Sequence, residues 1–134
     1  MNYLSQTILS EELSPVLFGY SPQADGIARR LFRQYRLISH VFCDRAPLIR
    51  RFSPILKFHL FRHAVHDELA ITALEDFADN VRNADVILYL IPATRTHARL
   101  IARNRDRLET RFVIASSADL RVLLGEQELS PNLQ

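Results

Sequence analysis

The chain has 134 residues, 48% of them hydrophobic and 24% charged, with one cysteine and a formal net charge of +2. That length suits one domain with its own buried core, and a single cysteine excludes an internal disulfide framework and any cysteine-cluster metal site. Lys57 is the only lysine, so the positive charge is arginine spread over several segments, which reads as solvated helix faces rather than a nucleic-acid footprint.

Residues 1–14 read as a leader, with Tyr3, Leu4, Ile8, Leu9 and Leu13 near helical spacing and no basic region ahead of an apolar core, so no signal peptide is expected. Pro15 opens the first strand, carried by Val16, Leu17 and Phe18. After Gly19 and a polar loop, helical spacing sets in over about residues 24–35, with Ile27, Leu31 and Phe32 apolar. Residues 37–43 form the second strand, and 44–53 a loop with Pro47, Arg45, Arg50 and Arg51. Ile55 to Phe61 is a third strand at a sheet edge, since Lys57 and His59 interrupt it. Thr72 to Glu75 has the capping-box pattern of a helix start, with Leu74, Phe77, Ala78 and Val81 on one face.

Residues 85–91, DVILYLI, are an almost continuous apolar run and suit a central parallel strand, closed by Pro92. No apolar run approaches the roughly 18 residues needed to cross a bilayer, so no membrane association and a cytoplasmic location are expected. A helix over about 96–108, a short strand over 112–115 and a helix over 117–124 capped by Ser117 and stopped by Gly125 follow; the tail from 126 is loose. This alternation predicts an α/β fold over residues 15–124, a Rossmann-like three-layer sandwich around a mostly parallel sheet of about five strands.

In such sheets ligands sit at the carboxyl ends of the strands. The first loop offers Gly19, Tyr20, Ser21 and Gly26, with backbone N–H groups at a helix N-terminus that favour an anion, set against the plainer and favoured reading of a structural turn whose glycine supplies positive φ or close packing. The two glycines match neither the G-x-G-x-x-G fingerprint nor a P-loop. The loop after the central strand offers Thr94 and Arg95, whose guanidinium can fork onto a carboxylate, with Thr96 and His97 following; the plainer and preferred reading is that Thr94 or Thr96 caps the next helix and Arg95 is solvated. His59, His63 and His66 have helical metal spacing but fall on a strand and the loop after it, so no metal site is expected. His40 and Cys43 are three apart on a strand, which points them to opposite faces and argues against a catalytic dyad. No catalytic group stands out.

The loop Gly19-Tyr20-Ser21-Pro22-Gln23-Ala24-Asp25-Gly26-Ile27-Ala28-Arg29 resembles the glycine loop that opens the N-terminal, pre-ATP-grasp domain of ATP-grasp carboxylate–amine ligases, of the D-aspartate ligase type. Leu90-Ile91-Pro92, the helix Leu100 to Leu108 and the strand Arg111 to Ile114 agree in order and spacing. Arg36 stands where that family would end its first helix on glycine, and Ala93-Thr94-Arg95 replaces a glycine- and aspartate-containing loop. The resemblance implies a Rossmann-like domain that binds a small carboxylate or amino-acid substrate and docks onto an ATP-grasp chain. ATP and Mg²⁺ belong to the complete ligase; this chain, holding no cofactor of its own, is expected not to catalyse the reaction alone. The rival expectation is a Rossmann-like regulatory or interaction module without a small ligand, with Leu4, Ile8 and Leu129 on a partner or homodimer surface.

Overall fold

The computed structural model describes residues 12–44, 53–60, 67–81 and 86–125. The leader up to residue 11, the arginine loop at 45–52, His63, His66 and the tail from 126 lie outside the described residues. Five parallel strands, β1 (Glu12–Phe18), β2 (Ser39–Cys43), β3 (Leu56–Leu60), β4 (Val86–Pro92) and β5 (Val113–Ile114), lie in the order β3-β2-β1-β4-β5. The expected α/β sandwich is therefore present, and its sheet is parallel throughout.

β1 starts earlier than Pro15. Glu12 to Ser14, expected in the leader, are already paired with Val86 to Leu88, and Pro15 stands opposite Tyr89. A mid-strand proline normally costs a ladder hydrogen bond. Here the Gly19 N–H donates to the Phe42 carbonyl, so odd-numbered residues of β1 turn their amides toward β2. Pairing with β2 begins only at Val16 opposite His40, one residue past the proline, so the missing N–H has no strand to face.

The first helix, α1 (Pro22–Tyr35), follows from Ser21 as N-cap, Pro22 in the first turn and the buried stripe Ala24, Ile27, Ala28 and Leu31. It ends on Arg36 at φ 58°, the left-handed cap that glycine takes without strain. The Arg36 N–H reaches the Phe32 carbonyl at 2.8 Å, and its guanidinium carbon lies 5.3 Å from the centre of the Phe32 ring.

The second helix, α2 (Asp67–Asn80), begins five residues before Thr72, which corrects the capping-box reading. The apolar stripe extends upstream through the buried Ala70 and Ile71, so packing sets the helix start and Thr72 falls inside it. Glu75, the expected cap partner, instead accepts from Arg107 and Arg111, while Asp79 accepts from Arg111 at 2.7 Å and Glu68 from Arg107 at 2.6 Å. These pairs tie α2 to the segment before β5.

The expected helix over 96–108 is two, α3 (Arg95–Arg103) and α4 (Arg105–Leu108), broken at Asn104, whose side-chain amide donates to the Leu100 carbonyl at 2.9 Å. The last helix, α5 (Ser117–Leu123), is capped by Ser116 rather than Ser117 and is followed by Gly125 at φ 82°. Tyr89, fully buried in β4, donates its hydroxyl hydrogen to Asp119 at 2.5 Å and so pins α5 to the sheet.

Side chains of each strand alternate between two cores. Leu13, Leu17, Val41, Tyr89 and Ile91 pack with α1 and α5 on one face; Val16, Phe18, Phe42, Leu88 and Leu90 pack with α2, α3 and α4 on the other. Among the described residues no helix is long and apolar enough to cross a membrane.

Candidate functional site

β1 lies between β2 and β4, so the chain leaves β1 toward one edge of the sheet and returns, through α2, to the other side of β1. The carboxyl ends of β1 and β4 therefore form the topological switch point, where open α/β sheets hold their ligands. The two loops expected there do meet. The Ala93 N–H donates to the Phe18 carbonyl at 2.9 Å, and the Ser21 hydroxyl donates to the Ala93 carbonyl at 2.9 Å across 72 residues of sequence. Gly19, Tyr20 and Ser21 thus lie beside Thr94 and Arg95.

Gly19 is required on two counts. Its φ is +96°, and a Cβ added there would sit 2.5 Å from His97 Nδ1. The space it leaves is occupied by the His97 ring, which meets Phe18 edge-on at 4.5 Å and pairs Nδ1 with Thr94 Oγ1 at 2.6 Å. Burial pushes the His97 pKa down, and the charge of Asp44 opposes that shift. His97 belongs to the site although the sequence directs attention to Thr94 and Arg95; the signal for it is its place three residues after a capping threonine.

Ser21 works as a structural cap. Its Oγ accepts from Ala24 N–H at 3.1 Å, its carbonyl accepts from Asp25 N–H at 3.1 Å, and Pro22 has no N–H. Of the first-turn amides only Gln23 remains. The buried Asp25 carboxylate also sits in that turn, where negative charge offsets the helix dipole, and it accepts from Arg29 Nε at 2.9 Å. Tyr20 is half-buried against Phe58, ring centres 5.6 Å apart; burial and the nearby Asp25 charge raise its pKa. The α1 end is satisfied by the chain itself, so the expected anion cradle in the first loop is weak there.

Gly26 is not part of the loop. It lies inside α1, exposed, with nothing within 4 Å of an added Cβ. Its separation from the other expected residues has a simple cause: the serine–proline pair starts the helix at Pro22, earlier than the glycine suggests.

The start of α3 differs from that of α1. Thr94 is its N-cap, accepting from His97 N–H at 3.1 Å, and the Thr94 carbonyl takes Ala98 N–H at 3.0 Å. The amides of Arg95 and Thr96 are the first-turn donors without intrahelical partners, and no acidic residue stands in that turn. The Arg95 side chain is exposed and makes no hydrogen bond or ion pair among the described residues.

Beside it runs a groove of about 160 Å³. Ile27 of α1, Leu120 and Leu124 of α5, and Ala98 of α3 make it apolar, together with Pro92 and Ala93 at the end of β4. Among the described residues, Gln23, Thr94 and Arg95 supply its polar groups: one amide, one hydroxyl and one cation, with no carboxylate. That set can hold and orient a small anion.

The remaining candidates fall elsewhere. Cys43 is buried in the core on the α1 face, while His40 meets Phe77 of α2 on the opposite face, so the two form no dyad. His40 Nδ1 and His59 Nε2 are 2.8 Å apart, but among the described residues no group of three or more His, Cys, Asp or Glu side chains is placed to hold a metal. Comparison with protein-family models, curated proteins and solved structures finds no match to this chain.

Proposed function

We propose that the chain is a small-carboxylate-binding domain, of the kind that ATP-grasp carboxylate–amine ligases carry before their ATP-binding lobes. Its contribution is to hold the substrate at the switch point and to dock onto a chain bearing those lobes, which would supply the grip on ATP and Mg²⁺. The observation that supports this most is the groove at the end of β4, where Arg95 at the start of α3 has no partner and the lining no carboxylate among the described residues.

Thermal shift and calorimetry against small carboxylates, amino acids and ATP with Mg²⁺ test the reading. A ligand at a hundredfold excess over its Kd adds about 2.7 kcal/mol of stability. A carboxylate should raise the melting temperature of the wild type and of Gly26→Val less its helix penalty, and should have at least tenfold less affinity for Arg95→Gln. A response to ATP alone, or binding that ignores Arg95→Gln, refutes it. The second reading, an interaction module without a small ligand, is favoured by Leu60, 49% exposed on the edge strand β3. Silence across the ligand panel with concentration-dependent self-association would support that reading instead.

A further inference from the structure

Resting on the carboxylate-binding reading, we infer that His97 is a positioning residue of the groove, which through the Thr94 hydroxyl couples anion binding to the uptake of a proton. Thr94 and Arg95 both line the groove; His97 is not in the lining and reaches it through Thr94. His97 Nδ1 stands 2.6 Å from Thr94 Oγ1, and the same oxygen accepts the His97 backbone N–H at 3.1 Å. The ring is held at this contact. A Cβ at Gly19 would fall 2.5 Å from Nδ1, so the ring fills the space that the glycine leaves, and Phe18 meets it edge-on at 4.5 Å.

A hydroxyl has one hydrogen to donate and two lone pairs to accept with. One lone pair of Thr94 takes the His97 amide, so the protonation state of the ring decides the rest. With Nδ1 bare, the hydroxyl hydrogen is committed to the imidazole, and Thr94 shows an anion only a lone pair. In the imidazolium, Nδ1–H donates to Oγ1, both lone pairs are filled, and the hydroxyl hydrogen is released to donate to a carboxylate. The neutral tautomer carrying Nδ1–H releases the same hydrogen but brings no charge. An anion on that hydroxyl lies within roughly 5 Å of Nδ1, two hydrogen-bond lengths, where an opposite charge favours the ionised form. From either neutral tautomer, the carboxylate and the proton favour each other.

The surroundings of the ring set the direction. Burial lowers the His97 pKa, and Asp44, just past β2, opposes that shift with its charge. β1 presents Phe18 and Gly19, neither of which titrates, and on α3 Arg95 is the neighbouring cation. A bound anion raises the pKa. Affinity is therefore flat above the bound-state value, climbs as pH falls between the bound and free values, and levels off below the free one.

Titration of the full chain with acetate at steps between about pH 7.5 and 5.5, with affinity counted per ionised acetate, tests this. Nuclear magnetic resonance follows the His97 ring, identified as the imidazole signal that His97→Gln removes. Saturating acetate should raise the His97 pKa by at least about half a unit, which is about threefold tighter binding to the protonated form. His97→Gln should lose the pH slope and Thr94→Val most of it, while Thr94→Ser, which restores the hydroxyl, should keep it. Circular dichroism checks that each variant is folded, and the ring titration in the wild type decides without any variant.

A His97 pKa that acetate leaves unmoved or lowers, or a slope that survives in His97→Gln, overturns the inference while the carboxylate-binding reading stands. A slope kept in full by folded Thr94→Val overturns the route through the hydroxyl. If the wild type shows no saturable acetate binding at any of these pH values, or binding ignores Arg95→Gln, the carboxylate-binding reading fails and this inference with it.

Discussion

Acidification should loosen the sheet through His40 and His59. The two imidazoles come from neighbouring strands, Nδ1 to Nε2 at 2.8 Å, a contact that needs at least one ring nitrogen unprotonated. Phe42 stacks on His59 at 4.7 Å, and Phe77 of α2 contacts both rings at 5.0 Å. Lys57 stands opposite His40 in the ladder and is the one charged group in this cluster among the described residues. Burial first, then the charges of His59 and Lys57, lower the His40 pKa from 6.5 to about 4; burial and Lys57 lower that of His59 as well. The folded values lie below the unfolded ones, so the unfolded chain takes protons first. Stability is complete above about pH 6.5 and is lost as pH falls toward 4. At about 1.4 kcal/mol per unit, the His40 shift has a ceiling of about 3 kcal/mol, which partial exposure of the ring reduces to about 1–2 kcal/mol. Urea denaturation followed by circular dichroism, at steps between pH 7.5 and 4.5, measures the loss. The double substitution His40→Phe/His59→Phe keeps the aromatic packing and should flatten most of the slope, leaving the smaller share of His97, whose pKa burial also lowers. An equal loss in wild type and double variant would refute the reasoning.

The other predictions concern single positions and are read as changes in unfolding free energy. Gly19→Ala should destabilise by about 2–3 kcal/mol, because φ +96° strains any side chain and the new Cβ meets His97 at 2.5 Å; a loss below about 0.5 kcal/mol would mean the loop shifts freely. Gly26→Ala should stabilise by about 0.5–1 kcal/mol, since the position is helical and open, and a loss would contradict its placement inside α1. Arg36→Gly should gain up to about 1 kcal/mol by relieving the left-handed cap, less what the contact with Phe32 contributes; calorimetric melting decides the sign. Ser39 Oγ is buried without a hydrogen-bond partner among the described residues, so Ser39→Ala should be neutral or stabilising by up to about 1 kcal/mol. A clear loss there would reveal a partner.

Strand and helix order was legible because it is written in local pattern: the apolar run of β4, the alternation of the edge strand β3 and the stripe Ile27–Leu31 each report their own burial. The end of α1 at Tyr35 was legible, but its left-handed cap was not, because Arg36 stands where a helix-ending glycine was expected and takes φ 58° all the same. What stayed hidden depends on partners far away in sequence. Pro15 is tolerated inside β1 because β2 begins one residue late, a fact of register. The T-x-x-E pattern at Thr72 misled because Glu75 is claimed by Arg107 and Arg111, more than thirty residues on. The His40–His59 pair arises from neighbouring strands and has no short-range signature.

The site shows the same division between local motif and long-range environment. Both loops at the switch point look alike as sequence, each a polar turn leading into a helix capped by serine or threonine. Their electrostatics differ. α1 carries Asp25 in its first turn and has used or lost all but one of its early amides, so an anion arriving there meets negative charge and few donors. α3 has no acid of its own in the first turn and, among the described residues, its Arg95 and Thr96 amides lack intrahelical partners; the Arg95 guanidinium adds positive charge there, and Asp44 is the acid whose charge reaches that turn, at His97. Charge inversion separates the two ends experimentally. Arg95→Glu should abolish carboxylate binding, whereas Asp25→Asn, which removes the negative charge from α1, should leave binding within about threefold if the ligand sits at α3, a difference under ~0.7 kcal/mol. A tenfold or greater gain on Asp25→Asn would move the site back to the first loop.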